Sequence, residues 1–230
     1  MLGELSELLS AVPDGASRSD YTNAIVHENA VGKQTASNRR STEQRLGELY
    51  GLDPTLPIFR VLLRLWAVDP PGRPLLALLC ALARDPLLRA TAPAVLSLDP
   101  GAELLRTSIS DCIVAVTESR LNESTIDKVA RNAASSWAQS GHLEGRVRKI
   151  RRKVHATPGS TAFALWLGEV QGLGGDALLR SAWTAVLDAN QSNLLNLALR
   201  AKQLGLVHAR IGGGVTEIDT SRLDPAKRGG

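Results

Sequence analysis

Aromatic side chains are scarce in this chain: Phe, Trp and Tyr together make up 3% of its 230 residues. Leu, Ala and Val must therefore fill the interior, a balance that favours helices over strands. Cysteine is nearly missing as well. Cys80 and Cys112 stand alone with no C-x-x-C pair, so nothing indicates a disulfide framework and a reducing cytoplasm fits. The longest purely apolar run is Leu75 to Ala83, far short of the roughly 20 residues of a membrane span. The start, "MLGELSELLSAVPDG", has no basic region and carries two glutamates, so it does not read as a signal peptide. The expectation is a soluble, cytoplasmic protein with no membrane contact.

Catalytic signatures are also missing. Gly32-Lys33-Gln34-Thr35 resembles the end of a P-loop, but that motif needs a glycine where this chain has His27, and no strand precedes it. "GLGGD" at 172–176 reads as a glycine corner between helices, not a dinucleotide fingerprint. His27, His142, His155 and His208 lack the i+3 or i+4 spacing of a helical metal site. No G-x-S-x-G or S-x-x-K occurs. No enzyme activity, cofactor or metal is expected.

What the chain does have is a local excess of positive charge. The net charge is +4 and the pI about 9.4. "GHLEGRVRKIRRKV", residues 141–154, holds Arg146, Arg148, Lys149, Arg151, Arg152 and Lys153 against Glu144 alone. That segment is +5, so the rest sums to −1. A charge concentrated in this way points to an anionic partner. A solvated surface normally mixes signs.

The organisation reads as follows. Residues 1–20 form a flexible N-terminal segment, amphipathic and then polar. Residues 21–121 form a helical domain with a possible helix-turn-helix. There a turn near Gly32 precedes helices ending at Gly51, and Ser41 with Gln44 has capping-box spacing. Ile58, Leu62 and Leu65 share a helix face, two helices divide near Asp85-Pro86, and Pro100 suits a helix first turn. Residues 122–223 form a second, helical or winged-helix domain, with Ser124 and Asp127 at capping spacing and Gly141 at a helix end. Ile126, Ala130, Ala133 and Trp137 make its buried stripe, leaving Lys128, Arg131, Asn132, Ser135 and Gln139 opposite. "STAFALWLGEVQG" and "GDALLRSAWTAVLDA" read as one helix each, "NQSNLLNLALRAKQLG" as another, and "LVHARIGGGVTEIDT" as a β-hairpin. Residues 224–230 are a frayed tail. "QSGHLEGRV" and "QLGLVHARI" both leave a helix through a glycine into an apolar pair. The echo allows two winged-helix units, and is too short to establish a duplication.

Two geometries compete for residues 141–154. As a helix, Leu143, Val147, Ile150 and Val154 line one face with the cations opposite. As a hairpin, Gly145 marks the turn and the arginines lie along the wing, with a bulge because Val147 and Ile150 differ in parity. The glycines favour a short wing whose second arm can continue helically. Either way the cations lie beside a helix rich in donors, which suits DNA: cations neutralise phosphates while Lys128, Arg131, Asn132 and Ser135 lie against a groove. His142 and His155 flank the run within reach of phosphate. Arg39 and Arg40, in "GKQTASNRR", make a second candidate contact on a helix that follows a turn.

The order of these features resembles the small, helical A component of bacteriophage-exclusion (BREX) defence systems. The matching parts are "SNRRSTEQRLGELYGL", the Leu-rich middle, "STIDKVARNAASSWAQSGHLEG" and the closing helix with hairpin, across residues 22–223. The chain departs from that pattern in its dense "RVRKIRRKV" and its long apolar middle. The resemblance implies a non-enzymatic DNA-binding protein acting beside a methyltransferase and other defence proteins.

The expected fold is therefore mainly α: a helical core with helix-turn-helix or winged-helix features and one or two small β-hairpins. The expected partner is double-stranded DNA. The rival is an adaptor that docks its basic segment on an acidic protein. RNA binding comes third, because base-stacking aromatics are few.

Overall fold

The computed structural model describes residues 1–118, 120–212, 215–224 and 226. It opens with helix α1 (Leu2–Ala11), which corrects the reading of residues 1–20 as flexible. Leu5 and Leu8, one turn apart on the same face, are fully buried. The backbone nitrogens of Met1 and Leu2 donate to Gln139 Oε1 at 2.7 and 2.8 Å. An amphipathic face of this kind gains more from burial than it loses in ordering.

Helix α2 (Arg18–Val26) starts at a capping box between Ser17 and Asp20. Helix α3 (Ala36–Tyr50) starts at Thr35, whose hydroxyl accepts from the Asn38 N–H at 3.1 Å. Ser41 and Gln44 therefore fall in mid-helix rather than at a cap. Gly51, at φ +94°, ends the helix, a conformation that costs glycine little. Helix α4 (Pro57–Val68) buries Phe59, Leu62 and Leu65, with Ile58 only partly covered. In helix α5 (Arg73–Arg84) every residue from Leu75 to Leu82 is buried. The apolar run is thus the central helix, surrounded on all sides.

Asp85 starts α6 (Pro86–Ala90) by accepting from the Leu87 and Leu88 N–H groups at 3.0 Å each, and α7 (Ala92–Leu96) follows. Pro100 does not begin a helix. It precedes a turn at Gly101 (φ +94°) that leads into strand β1 (Glu103–Leu104). Then come α8 (Arg106–Thr117), α9 (Glu123–Gln139), β2 (Leu143–Glu144) and β3 (Lys149–Arg151). The strands pair antiparallel in the order β1-β3-β2, with Glu103 opposite Ile150 and Leu143 opposite Arg151. Helices, a strand, two helices and a hairpin, with the early strand beside the last, is the layout of a winged helix. A boundary at 121/122 therefore cuts through the turn between α8 and α9.

Thr157 and Ser160 form the capping box of α10 (Pro158–Val170), which is buried from Gly159 to Gly168 and packs on α5. Residues 175–189 are not one helix. Ser181 accepts from the Thr184 N–H at 3.2 Å, and this local bond restarts the chain, separating α11 (Asp176–Leu179) from α12 (Ala182–Ala185). Helix α13 (Gln191–Gln203) leads through Gly205 (φ +69°) into the hairpin of β4 (His208–Gly212) and β5 (Val215–Asp219). The turn glycines 213 and 214 lie outside the described residues. Thr220 donates its backbone N–H at 2.8 Å and its hydroxyl to Glu169 Oε2, which ties this hairpin to α10.

The tail read as frayed begins with an anchored residue. Asp224 is 2% exposed and takes Arg60 Nε and Nη2 at 2.8 and 2.9 Å. Residues 225 and 227–230 lie outside the described residues. Buried apolar side chains from Leu5 to Leu223 form one connected core, so the expected division into two domains does not correspond to two interiors. The protein is mainly helical with two small antiparallel sheets. Among the described residues, no helix is long and apolar enough to cross a membrane.

Candidate nucleic-acid interface

Helix α9 presents the first candidate surface. Asn122 Oδ1 accepts from the Thr125 N–H at 2.9 Å and starts the helix two residues before Ser124. Ala130, Ala133 and Trp137 face the core, and Trp137 Nε1 donates to Thr91 Oγ1 at 2.8 Å. Lys128, Arg131, Asn132 and Ser135 are all exposed, on the face opposite that stripe. Gln139 is committed elsewhere, holding the start of the chain.

The helix ends at Gly141 (φ +89°), with the His142 N–H returning to the Trp137 carbonyl at 3.1 Å. His142 is fully buried, so it is not a phosphate contact. Its Nδ1 lies 2.8 Å from Ser140 Oγ, its Nε2 lies 2.8 Å from the Val186 carbonyl, and its ring meets Trp137 edge-on at 4.9 Å. Burial pushes its pKa down to about 4, against the pull of the Val186 carbonyl and Asp188, with Arg151 adding to the depression. The imidazole is neutral at pH 7, with its Nε2–H assigned to the carbonyl.

The basic run is a hairpin, not a helix. Its turn needs Gly145, which sits at φ +102°, where an added Cβ would lie 2.1 Å from the Arg148 carbonyl oxygen. Replacing Gly145 by Ala is expected to cost about 1–2 kcal/mol and distort the wing. Denaturant unfolding measures the loss, and an unchanged midpoint would contradict this account of the turn. Val147, on the apolar stripe of the helical alternative, is 92% exposed at the wing tip.

The six cations divide into several roles. Arg146 is exposed and, among the described residues, makes no ion pair. Arg148 lies 3.4 Å from Glu103, and Arg152 lies 2.5 Å from Glu144, both pairs well exposed. Lys149 donates to the Gly145 carbonyl at 2.7 Å across the turn. Arg151 corrects the sequence reading. It is 3% exposed, donating to the Val95 carbonyl at 3.0 Å and to Asp188 Oδ1 at 2.5 Å. Its place opposite Leu143 in the register turns it inward. Lys153 is exposed but lies beside α13.

Between α8, α9 and the wing runs a groove of about 480 Å³. Ile109, Ala130 and Ala134 line it with Leu105, which is 62% exposed, and Arg131 and Arg146 stand along it. The N-terminal candidates are not brought here. Arg40 is exposed, while Arg39 is half-buried and donates to the Val26 carbonyl at 3.0 Å. Neither lines this groove or the one beside α13. Lys33, the lysine of the P-loop-like stretch, pairs with Glu4 at 2.9 Å.

No protein-family model, curated protein or solved structure matches the chain. The surface is therefore read from its own geometry: a helix-turn-helix whose second helix carries Lys128, Arg131, Asn132 and Ser135, beside a wing tipped by Arg146 and Arg148. The sequence reading missed Arg106, which pairs at 2.8 Å with Asp127, the residue before Lys128 and one turn before Arg131. It also missed Asn193, Asn196 and Arg200 on α13. Their i, i+3, i+7 spacing was the available signal.

Proposed function

We propose that the protein is a non-enzymatic binder of double-stranded DNA. In this reading α9 enters the major groove, whose width of about 12 Å matches a helix with its side chains. Lys128, Arg131 and Arg146 neutralise phosphates, and Asn132 and Ser135 reach backbone oxygens or base edges. The observation that carries the reading is Lys128 and Arg131 exposed on one face of α9 with Arg146 exposed on the adjoining glycine-turned wing, none of the three with a carboxylate partner among the described residues. Limited sequence readout follows from having few amides on that face. The resemblance to the A component of bacteriophage-exclusion systems extends the proposal to a cytoplasmic role beside other anti-phage defence proteins.

A short duplex followed by fluorescence anisotropy across a salt series tests it. Changing Lys128, Arg131 and Arg146 to Ala is expected to make the slope of log K against log salt shallower by about 3 units and to weaken binding at every salt. No binding by the wild type at low salt would sink the reading. Exposed Leu105 and Val147 favour a second reading, an adaptor docking on an acidic protein. Binding to an acidic protein with no binding to the duplex at low salt would favour it. Competition by single-stranded RNA tests the third.

A further inference from the structure

The end of the basic run reaches a second groove. After the buried Arg151, residues 153–156 pass along α13 without regular structure. Lys153, His155, Asn193, Asn196 and Arg200 line a groove there of about 480 Å³, with Leu187 and Leu197 among its apolar residues. These five polar residues are all exposed. Asp188 is the acid in the groove, and it is committed to Arg151 Nη2 at 2.5 Å and to the Val154 N–H at 3.0 Å. Lys153 and Arg200 have no carboxylate partner among the described residues.

Helix α13 stands where α9 stands in the first unit, followed by a positive-φ glycine and an antiparallel hairpin. Asn193, Asn196 and Arg200 follow the spacing of one helical face, and the side of that face against residues 153–156 is cationic. The second hairpin itself is mixed in sign: Lys202, His208 and Arg210 share their surface with Glu217 and Asp219. The feature suited to an anion is therefore the groove and not the second wing.

We infer that the α13 groove is a second contact for the phosphodiester backbone of a DNA duplex, with Lys153 and Arg200 on phosphates and Asn193 and Asn196 donating to backbone oxygens. The inference rests on the proposed reading of the α9 surface as duplex-binding. Arg148 and Lys153 are five residues apart, so their Cα atoms are separated by at most about 18 Å. One turn of B-DNA spans about 34 Å. One duplex can then meet both surfaces within a turn, and the basic run is the strap between them.

The test uses the full chain and a 20-base-pair duplex of arbitrary sequence, again across a salt series. Lys153→Ala with Arg200→Ala is expected to make the salt slope shallower by about 2 units. Asn196→Asp, which adds a negative charge without removing packing, is expected to weaken binding at least severalfold. Combining the Lys153 and Arg200 changes with those at Lys128, Arg131 and Arg146 should lower the slope by the sum of the separate effects. Wild-type binding that responds to the α9 and wing changes, but not to K153A/R200A or N196D, overturns this inference and leaves the α9 reading standing. Absence of wild-type binding overturns both.

Discussion

Arg151→Ala is expected to destabilise the protein by about 3–5 kcal/mol, as removal of one partner from a buried ion pair does. The guanidinium and the Asp188 carboxylate are 3% and 12% exposed and lie 2.5 Å apart. Arg151 also donates to the Val95 carbonyl, and its backbone N–H donates to the Ala102 carbonyl at 2.8 Å. The other carboxylate oxygen of Asp188 holds the Val154 N–H at 3.0 Å. Removing the cation therefore leaves a buried carboxylate and a bare carbonyl at the join between β3 and the loop before α13. Removing both charges should cost much less. In Arg151→Met with Asp188→Asn, the Asn still accepts from Val154 and tolerates the φ of +51° found at position 188. Midpoints of denaturant unfolding for the two variants decide the matter. A shift below about 1 kcal/mol for Arg151→Ala would mean that the pair is not holding β3 to the loop before α13. Arg146→Ala, five residues away on the surface, should leave the midpoint unchanged and, under the proposed reading, lower only duplex affinity in the anisotropy assay.

Acidification from pH 6.5 to pH 4 is expected to remove roughly 3 kcal/mol of stability through His142 alone. The folded imidazole, buried between Ser140 Oγ and the Val186 carbonyl, takes up a proton only near pH 4. In the unfolded chain the same ring protonates near its ordinary value of 6.5. Between those pH values the unfolded state binds the extra proton, so stability rises with pH and is lost as pH falls. Asp20, Asp53 and Asp219, whose carboxyls accept local hydrogen bonds that lower their pKa, act in the same direction from lower starting values. The interval from pH 6.5 to 5 lies above the range of these carboxylates. The Met1 amine, whose pKa burial lowers from 8.0, contributes equally to the wild type and to a variant at position 142, so the difference between the two reports His142. His142→Gln keeps a donor for Val186 and removes the titration. Its stability, although lower at pH 7, should vary with pH less steeply than the wild type by about 1.4 kcal/mol per pH unit. Parallel slopes for the two proteins would exclude His142 as the group responsible.

The candidate surface was legible in part, and the limit is physical. Lys128, Arg131, Asn132 and Ser135 could be placed together because a helix repeats every 3.6 residues and the buried stripe of Ala130, Ala133 and Trp137 marks the opposite side. The basic run could not be apportioned in the same way. Its apolar residues fit a helical face and a bulged strand alike, and only the pairing of β3 with both β1 and β2 chose between them. That pairing turned Arg151 inward, left Val147 at the tip and sent Lys153 towards α13. The caps assigned to Ser41 and Ser124 failed for a local reason, since Thr35 and Asn122 lie upstream and each helix starts at the first cap it meets.

By itself the sequence determined the helical class, the central apolar helix, the glycines at the exits of α3, α9 and α13 and the concentration of positive charge. All of these are written in composition or in periods shorter than two helical turns. Only the tertiary structure decided that α1 belongs to the core, that α8 and α9 form one unit with β1, and which of the four arginines in the basic run is buried. Each of those depends on a partner distant along the chain: Gln139 for Met1, Ile150 for Glu103, Asp188 for Arg151. Local pattern carries no information about such partners, because these particular hydrogen bonds and contacts are made between elements and not within them.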